Sequence, residues 1–158
     1  MPTVHITCGF LGVGKTTFPV ELAERERAVR FSLDELYFRL YADGPTHELD
    51  FDAMDRLSRV VETLWTSAVR CGASVVLDLG FWDRSFRDET RRLVESLHAT
   101  PRLYWLTCSD EIALERCQRR NGAPGAFLVS PEGYREMRSR FDAPANEESP
   151  TIIDTNPI

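Results

Sequence analysis

Nine consecutive residues carry the clearest chemistry in the chain: Gly9-Phe10-Leu11-Gly12-Val13-Gly14-Lys15-Thr16-Thr17. They fit the pattern G-x-x-x-x-G-K-[ST] at every fixed position. Glycines at 9, 12 and 14 allow a tight backbone turn, so that successive amide N–H groups face one hollow suited to phosphate oxygens. A helix opening there adds its positive end. Lys15 can reach the β- and γ-phosphates of a nucleotide, and the Thr16 hydroxyl can ligate Mg²⁺. The expected nucleotide contacts are therefore Gly9, Gly12, Val13, Gly14, Lys15, Thr16 and Thr17.

The flanks agree with this reading. Thr3 to Cys8 is a short β-rich run that ends where the loop begins, and Glu21 to Arg25 has helical character. Pro19 falls in the second turn of the expected helix and predicts a local distortion there. Lys15 is the only lysine among nineteen basic residues. A compact ammonium suits a phosphate cradle better than a planar guanidinium does.

The elements that must hold this loop follow in order. Ala28 to Ser32 reads as a second strand. Ser32-Leu33-Asp34-Glu35 has the S-x-x-E form of a capping box before a helix from Asp34 to Tyr41. Ala42 to Asp50, with Gly44-Pro45, reads as a polar loop. Asp50 can cap a long helix with Phe51, Met54, Leu57, Val61, Leu64 and Ala68 as its apolar stripe, ended by Gly72. Ser74 to Leu79 is the clearest buried strand. Ser85 is the expected cap of a helix carrying Phe86, Leu93 and Leu97. Arg102 to Cys108 is the next strand, and Ser109 caps a helix from Asp110 to Arg120. Asn121 to Val129, rich in Gly and Pro, reads as a flexible link to a helix signalled by Ser130-Pro131-Glu132. Thr151 to Asp154 closes the sheet. Strands alternating with helices predict a five-stranded parallel sheet covered on both faces.

With 158 residues the chain fits one domain, 1–158. Its net charge of −6 is a poor match to a nucleic-acid backbone, so a nucleic-acid partner is not expected. No apolar run has membrane-spanning length and no signal peptide is evident, which predicts a soluble, cytoplasmic protein. Cys8, Cys71, Cys108 and Cys117 show no C-x-x-C spacing and read as structural thiols. With His5, His47 and His98 scattered, no zinc site suggests itself.

Ligands of such sheets lie beyond the carboxyl ends of the strands. Three groups stand there. Asp34 follows the second strand, where a carboxylate can orient a substrate hydroxyl and accept its proton; as a lone residue it would simply suit a helix's first turn. Asp78 ends Val75-Val76-Leu77-Asp78, a run of Walker B form, and can hold Mg²⁺, grip a substrate or cap a neighbouring loop. Arg116, Arg119 and Arg120 share one helix face beside the Gly/Pro-rich link. They read either as a solvated basic face or as a lid, about residues 116–135, that closes cations over a transferring phosphoryl group.

Taken together, the chain resembles the small phosphate-loop kinases, a group that includes zeta-toxin-like ATPases, the kinase half of polynucleotide kinase, chloramphenicol phosphotransferase and gluconate kinase. The resemblance rests on Gly9 to Thr17, Ser32-Leu33-Asp34-Glu35, Val76 to Trp82, the Arg116-x-x-x-Arg120 spacing and Phe141-Asp142-Ala143-Pro144. It implies the P-loop NTPase three-layer α/β sandwich with a small helical lid, ATP and Mg²⁺ as cofactors, and a small-molecule hydroxyl as phosphoryl acceptor. It further implies Asp34 as base, lid arginines at 116 and 120, and an adenine site near the lid helix and final strand. Joined to the reading of the residues themselves, this makes Lys15, Asp34, Arg116 and Arg120 the expected catalytic residues, with Arg116, Arg119 and Arg120 beside the nucleotide and Thr16 and Asp78 at the metal. Polynucleotide kinases carry arginine three residues after the catalytic Asp, whereas this chain has Tyr37. The wording of the loop is also similar to metal-chaperone GTPases. Their guanine motif needs a second lysine and their cysteine clusters are missing here. A nucleotide-binding ATPase module without an acceptor is the remaining alternative. Phe38, Tyr41, Trp82 and Phe86 serve equally as acceptor-pocket walls or as core.

Overall fold

The sheet is built from five parallel strands: β1 Thr3–Gly9, β2 Val29–Ser32, β3 Val75–Asp78, β4 Thr100–Thr107 and β5 Thr151–Asp154. Their spatial order is β2-β3-β1-β4-β5. The computed structural model describes residues 1–41, 50–123 and 125–157. The polar loop expected over 42–50 therefore lies almost wholly outside the described residues, as does Pro124 of the link.

Period-two alternation divides each central strand between two cores. Val4, Ile6, Cys8, Val75 and Leu77 face one side, where helices α2 (Leu33–Tyr41), α3 (Phe51–Arg70) and α4 (Arg84–Ser96) supply Tyr37, Leu57, Val61, Trp65 and Val94. Val76, Tyr104 and Leu106 face the other side. There α1 (Phe18–Glu26), α5 (Asp110–Arg120) and α6 (Pro131–Ser139) supply Leu22, Ala113, Cys117 and Tyr134. Val75, Val76 and Leu77 are all fully buried, the pattern of a strand covered on both faces. This is the expected three-layer α/β sandwich. None of the helices among the described residues is long and apolar enough to cross a membrane.

Several local expectations are corrected. The first helix starts at Phe18, so Pro19 stands in its first turn, where no backbone donor is needed. Lys15 to Thr17 form a turn, with the Thr17 and Phe18 amides both donating to the Gly14 carbonyl at 3.1 and 3.2 Å. The box at Ser32 and Glu35 is not their role. Glu35 accepts from Arg30 and, at 2.6 Å, from Arg39, while Ser32 lies near enough to the Asp78 carboxyl to lower its pKa. Asp50 does cap α3, accepting from the Ala53 amide at 3.0 Å. The stripe of α3 is rotated, however. Ala53, Leu57, Val61, Trp65 and Val69 are buried, whereas Phe51 and Leu64 are exposed. Asp83, not Ser85, precedes α4, and it makes no capping bond through its side chain. Ser109 and Ser130 cap α5 and α6 as expected, accepting from the Ile112 and Gly133 amides. Cys8 and Cys117 are buried, Cys108 is half-buried and Cys71 is exposed; all four thiols are free.

Candidate active site

The phosphate-loop segment leaves the carboxyl end of β1, the central strand, which pairs with β3 on one side and β4 on the other. Helix α5 backs it closely. Gly12 has φ +74°, and a Cβ there would lie 2.2 Å from the Ala113 carbonyl oxygen. The guanidinium of Arg116 donates to the Gly12 carbonyl at 3.3 Å, and to the hydroxyl and carbonyl oxygens of Thr155 at 3.2 and 2.7 Å. The Thr155 hydroxyl donates in turn to the Val13 carbonyl at 2.9 Å. The loop backbone is thus tied at residues 12 and 13 to α5 and to the end of β5. Gly9 ends β1, Gly14 has φ +94°, Lys15 is half-buried, and Thr16 and Thr17 are exposed.

Asp78 stands at the carboxyl end of β3, the strand beside β1, and Asp34 lies two residues past the end of β2, the next strand out. Asp34 is exposed in the first turn of α2, while the Asp78 side chain is only 12% exposed. Burial pushes the Asp78 carboxyl up from 3.8 to about 6. Lys15 pulls it down, the charge of Asp34 raises it, and Arg30 and the Ser32 side chain lower it. Lys15, Asp34 and Asp78 therefore share one electrostatic neighbourhood. Arg30, whose guanidinium is 3.8 Å from Asp78 and also engages Glu35, is a member of this cluster that the sequence did not reveal.

The fit to Mg²⁺ is good in kind. The Thr16 hydroxyl and the Asp78 carboxylate are hard oxygen donors, and Mg²⁺ is commonly held by one or two carboxylates together with substrate phosphates. Among the described residues no group of three or more His, Cys, Asp or Glu forms a protein-only metal site.

The raised Asp78 carboxyl gives a pH-dependent prediction. The folded state holds this proton more tightly than the unfolded chain does. Stability is therefore lost as pH rises from about 4 through about 6. Asp78→Asn is expected to stabilise the protein at pH 8 by ~1–3 kcal/mol, with the gain vanishing below about pH 4. Thermal melts of both proteins at pH 8 and pH 4 check this, and an equal difference at the two pH values would contradict it.

The three lid arginines do not act as one group in this structure. Arg116 is committed to Gly12 and Thr155, which turns its guanidinium to the back of the loop. Arg119 forms an exposed pair with Glu115, of the kind worth little in water. Arg120 is exposed at the end of α5. The link that follows is fastened at its base. The Asn121 side chain donates to the Val129 carbonyl and accepts from the Val129 amide, both at 2.9 Å. Phe127 of the link reaches α2, with its ring 4.6 Å from Phe38. Of the other aromatics, Phe86 stacks on buried Phe81 and belongs to the core, and Tyr41 packs beside Tyr37. Trp82 holds the Lys15 ammonium 5.7 Å from its ring centre.

The AAA domain family model matches residues 4–144. The chain belongs to this family. No curated protein matches it. Among solved structures, a presumed kinase from Chloroflexus aurantiacus superposes with a TM-score of 0.75 at 20% identity, over 98% of this chain and 89% of that one. Kti12 from Chaetomium thermophilum, solved with ADP-AlF3, gives a TM-score of 0.70 at 13% identity, over 97% and 89%. A gluconokinase from Sinorhizobium meliloti gives 0.65 at 17%, over 99% and 85%. At these identities the likeness establishes the fold.

The sequence reading missed Thr155, Arg30 and the burial of Arg87 and Glu148. Thr155 lies beyond the last strand, outside any motif. Only its chain position, just past a strand's carboxyl end, could have marked it.

Proposed function

We propose that this chain is an ATP- and Mg²⁺-dependent kinase that transfers the γ-phosphoryl group to a hydroxyl of a small-molecule acceptor. One observation carries the reading: Lys15, Asp78 and Asp34 stand at the carboxyl ends of three adjacent strands, close enough for their charges to act on Asp78. A lysine and an amide-rich loop suit the nucleotide phosphates, and a solvent-facing carboxylate two residues past β2 suits an acceptor hydroxyl. The kinase fold of the Chloroflexus and Sinorhizobium proteins supports it.

In this scheme Gly9, Gly12, Val13, Gly14, Lys15, Thr16 and Thr17 cradle the phosphates. Thr16 and Asp78 hold Mg²⁺, which offsets phosphate charge when bound. Asp34 orients the acceptor hydroxyl and takes its proton. Arg116 fixes the back of the loop, and Arg119 and Arg120, at the hinge of a lid over about 116–135, bring positive charge to the transferring group. The whole chain, 1–158, acts as one domain. Tyr37 bears on the acceptor class. It is fully buried, and its hydroxyl accepts from the Asp50 amide at 2.8 Å. The position where polynucleotide kinases present an arginine therefore faces the core here, which favours a small molecule over a nucleic-acid end.

The test begins with Lys15, because an amine-reactive reagent can label only it and the N-terminus. MgATP is expected to shield Lys15 and leave the N-terminal amine labelled as before. A panel of hydroxyl metabolites and antibiotics is then incubated with MgATP, and phosphorylated products are sought by mass spectrometry. Shielding together with transfer to one acceptor class supports the kinase. Shielding with hydrolysis alone across the panel would return the protein to an ATPase module, and no shielding would remove the loop from nucleotide binding.

A further inference from the structure

Arg87 lies within α4, the helix after the β3 loop, yet its side chain is 1% exposed, as is that of Glu148, 61 positions later. Its Nε donates to Glu148 Oε2 at 2.7 Å and its Nη2 to Oε1 at 2.9 Å, a two-pronged pair. Glu148 Oε1 also accepts from the Ala145 amide. The third nitrogen of the fork, Nη1, is left over for other work. It donates to the carbonyls of Phe81 at 3.0 Å and Asp142 at 2.7 Å, with the Trp82 carbonyl 3.4 Å away. The Asp142 amide donates in turn to the Trp82 carbonyl at 3.0 Å. One guanidinium thus fastens together the loop after β3, the segment after α6 and the turn before β5.

A buried ion pair is poor evidence of a stabilising role, because the loss of hydration offsets much of the attraction. The geometrical consequence is plainer. The Trp82 ring rests on Phe10 of the loop, with centres 5.0 Å apart, and is flanked by Phe141 at 6.3 Å. The Lys15 ammonium stands 5.7 Å from the same ring. The backbone that carries this ring is the backbone that Nη1 holds.

We propose that Arg87 is a positioning residue: through the carbonyls of Phe81, Trp82 and Asp142 it holds the Trp82 ring over Lys15, and so sets the orientation of the loop's lysine. The value of that orientation to a nucleotide rests on the function proposed above. The clamp itself can be tested without any nucleotide.

Arg87→Lys keeps a cation for Glu148 but cannot reproduce the fork. In the folded variant, with the amine added at position 87 resolved in its own peptide, Lys15 is expected to be acylated about two- to fivefold faster relative to the Met1 amine, the range set by loss of one cation–π contact. Trp82→Ala should accelerate labelling likewise, and adding Arg87→Lys to it should change nothing more, because both act through one ring. Native labelling in Arg87→Lys, or accelerations that multiply in the double variant, would overturn the proposal. Should Arg87→Lys fail to fold, the pair Arg87→Met with Glu148→Met removes both buried charges together, so that neither is left unpaired. It is expected to show the same faster labelling, and the native rate there would equally overturn the clamp. MgATP affinity, measured alongside, separates this from the functional reading. If the native protein bound no MgATP, the kinase would fall while the labelling result still judged the clamp.

Discussion

Asp34→Asn is expected to lower phosphoryl transfer by roughly two to four decades while leaving MgATP affinity nearly unchanged. Asp34 is exposed in the first turn of α2 and is not among the buried residues that hold that helix to the sheet. Asparagine keeps its shape, so the fold should survive. It cannot accept the acceptor's proton, and that is the function assigned to the carboxylate. The same substitution has a second readout that no acceptor is needed to see. The Asp34 charge helps raise the neighbouring Asp78 carboxyl to about 6, so removing it should lower the Asp78 titration. Carboxyl NMR titration of Asp78 and calorimetry with MgATP make the paired measurement. Full transfer activity in a folded Asp34→Asn protein would refute the base assignment. An unmoved Asp78 titration would refute the shared electrostatic neighbourhood.

What could be read from the sequence depended on how local its cause was. The phosphate-loop motif, the serine caps of α5 and α6 and the Asp50 cap of α3 depend on residues within a few positions of one another. They came through because a hydrogen bond over three residues needs no tertiary information. The strands did too, since Val75 to Leu77 must be apolar on both sides wherever the chain is covered by helices. The phase of α3 could not be read in this way. Phe51 and Leu64 are apolar and correctly spaced, but the buried face is chosen by packing into a core assembled from distant elements, where Trp65 and Val69 are the residues covered. Ser32 and Glu35 have the spacing of a capping box, yet Arg30 engages Glu35 and Ser32 lies beside Asp78. Arg87 and Thr90 are buried on α4, yet nothing in a short window of sequence discloses Glu148 as the partner of Arg87. The partners of Arg116 could not be read for a related reason. Its helical spacing with Arg119 and Arg120 says that the three side chains are neighbours. It does not say that one of them is captured by Thr155, 39 positions on.

Gly12→Ala is expected to weaken MgATP binding by at least about a hundredfold and to destabilise the fold by roughly 2–5 kcal/mol. Two causes add at this position. A side chain at φ +74° is strained in itself, and the new methyl would lie 2.2, 2.8 and 2.9 Å from the Ala113 carbonyl oxygen, carbonyl carbon and Cα. Those atoms are helix backbone and cannot swing aside as a side-chain tip could. Either the loop lifts, which breaks the bonds from Arg116 to Gly12 and from Thr155 to Val13, or α5 retreats, which breaks the first of them. Gly72 supplies the control. Its φ is +87°, but a Cβ there meets nothing within 4 Å, so Gly72→Ala carries the strain without the collision. It should cost ~1 kcal/mol or so and leave nucleotide binding intact. Ala113→Gly should not rescue Gly12→Ala, because the obstructing atoms are backbone and remain after the methyl is gone. Denaturant melts and MgATP calorimetry on the three variants decide the matter. If Gly12→Ala melts with Gly72→Ala and binds MgATP as the native protein does, α5 does not press on the loop as described, and the buttress of Ala113, Arg116 and Thr155 is not what holds the cradle in shape.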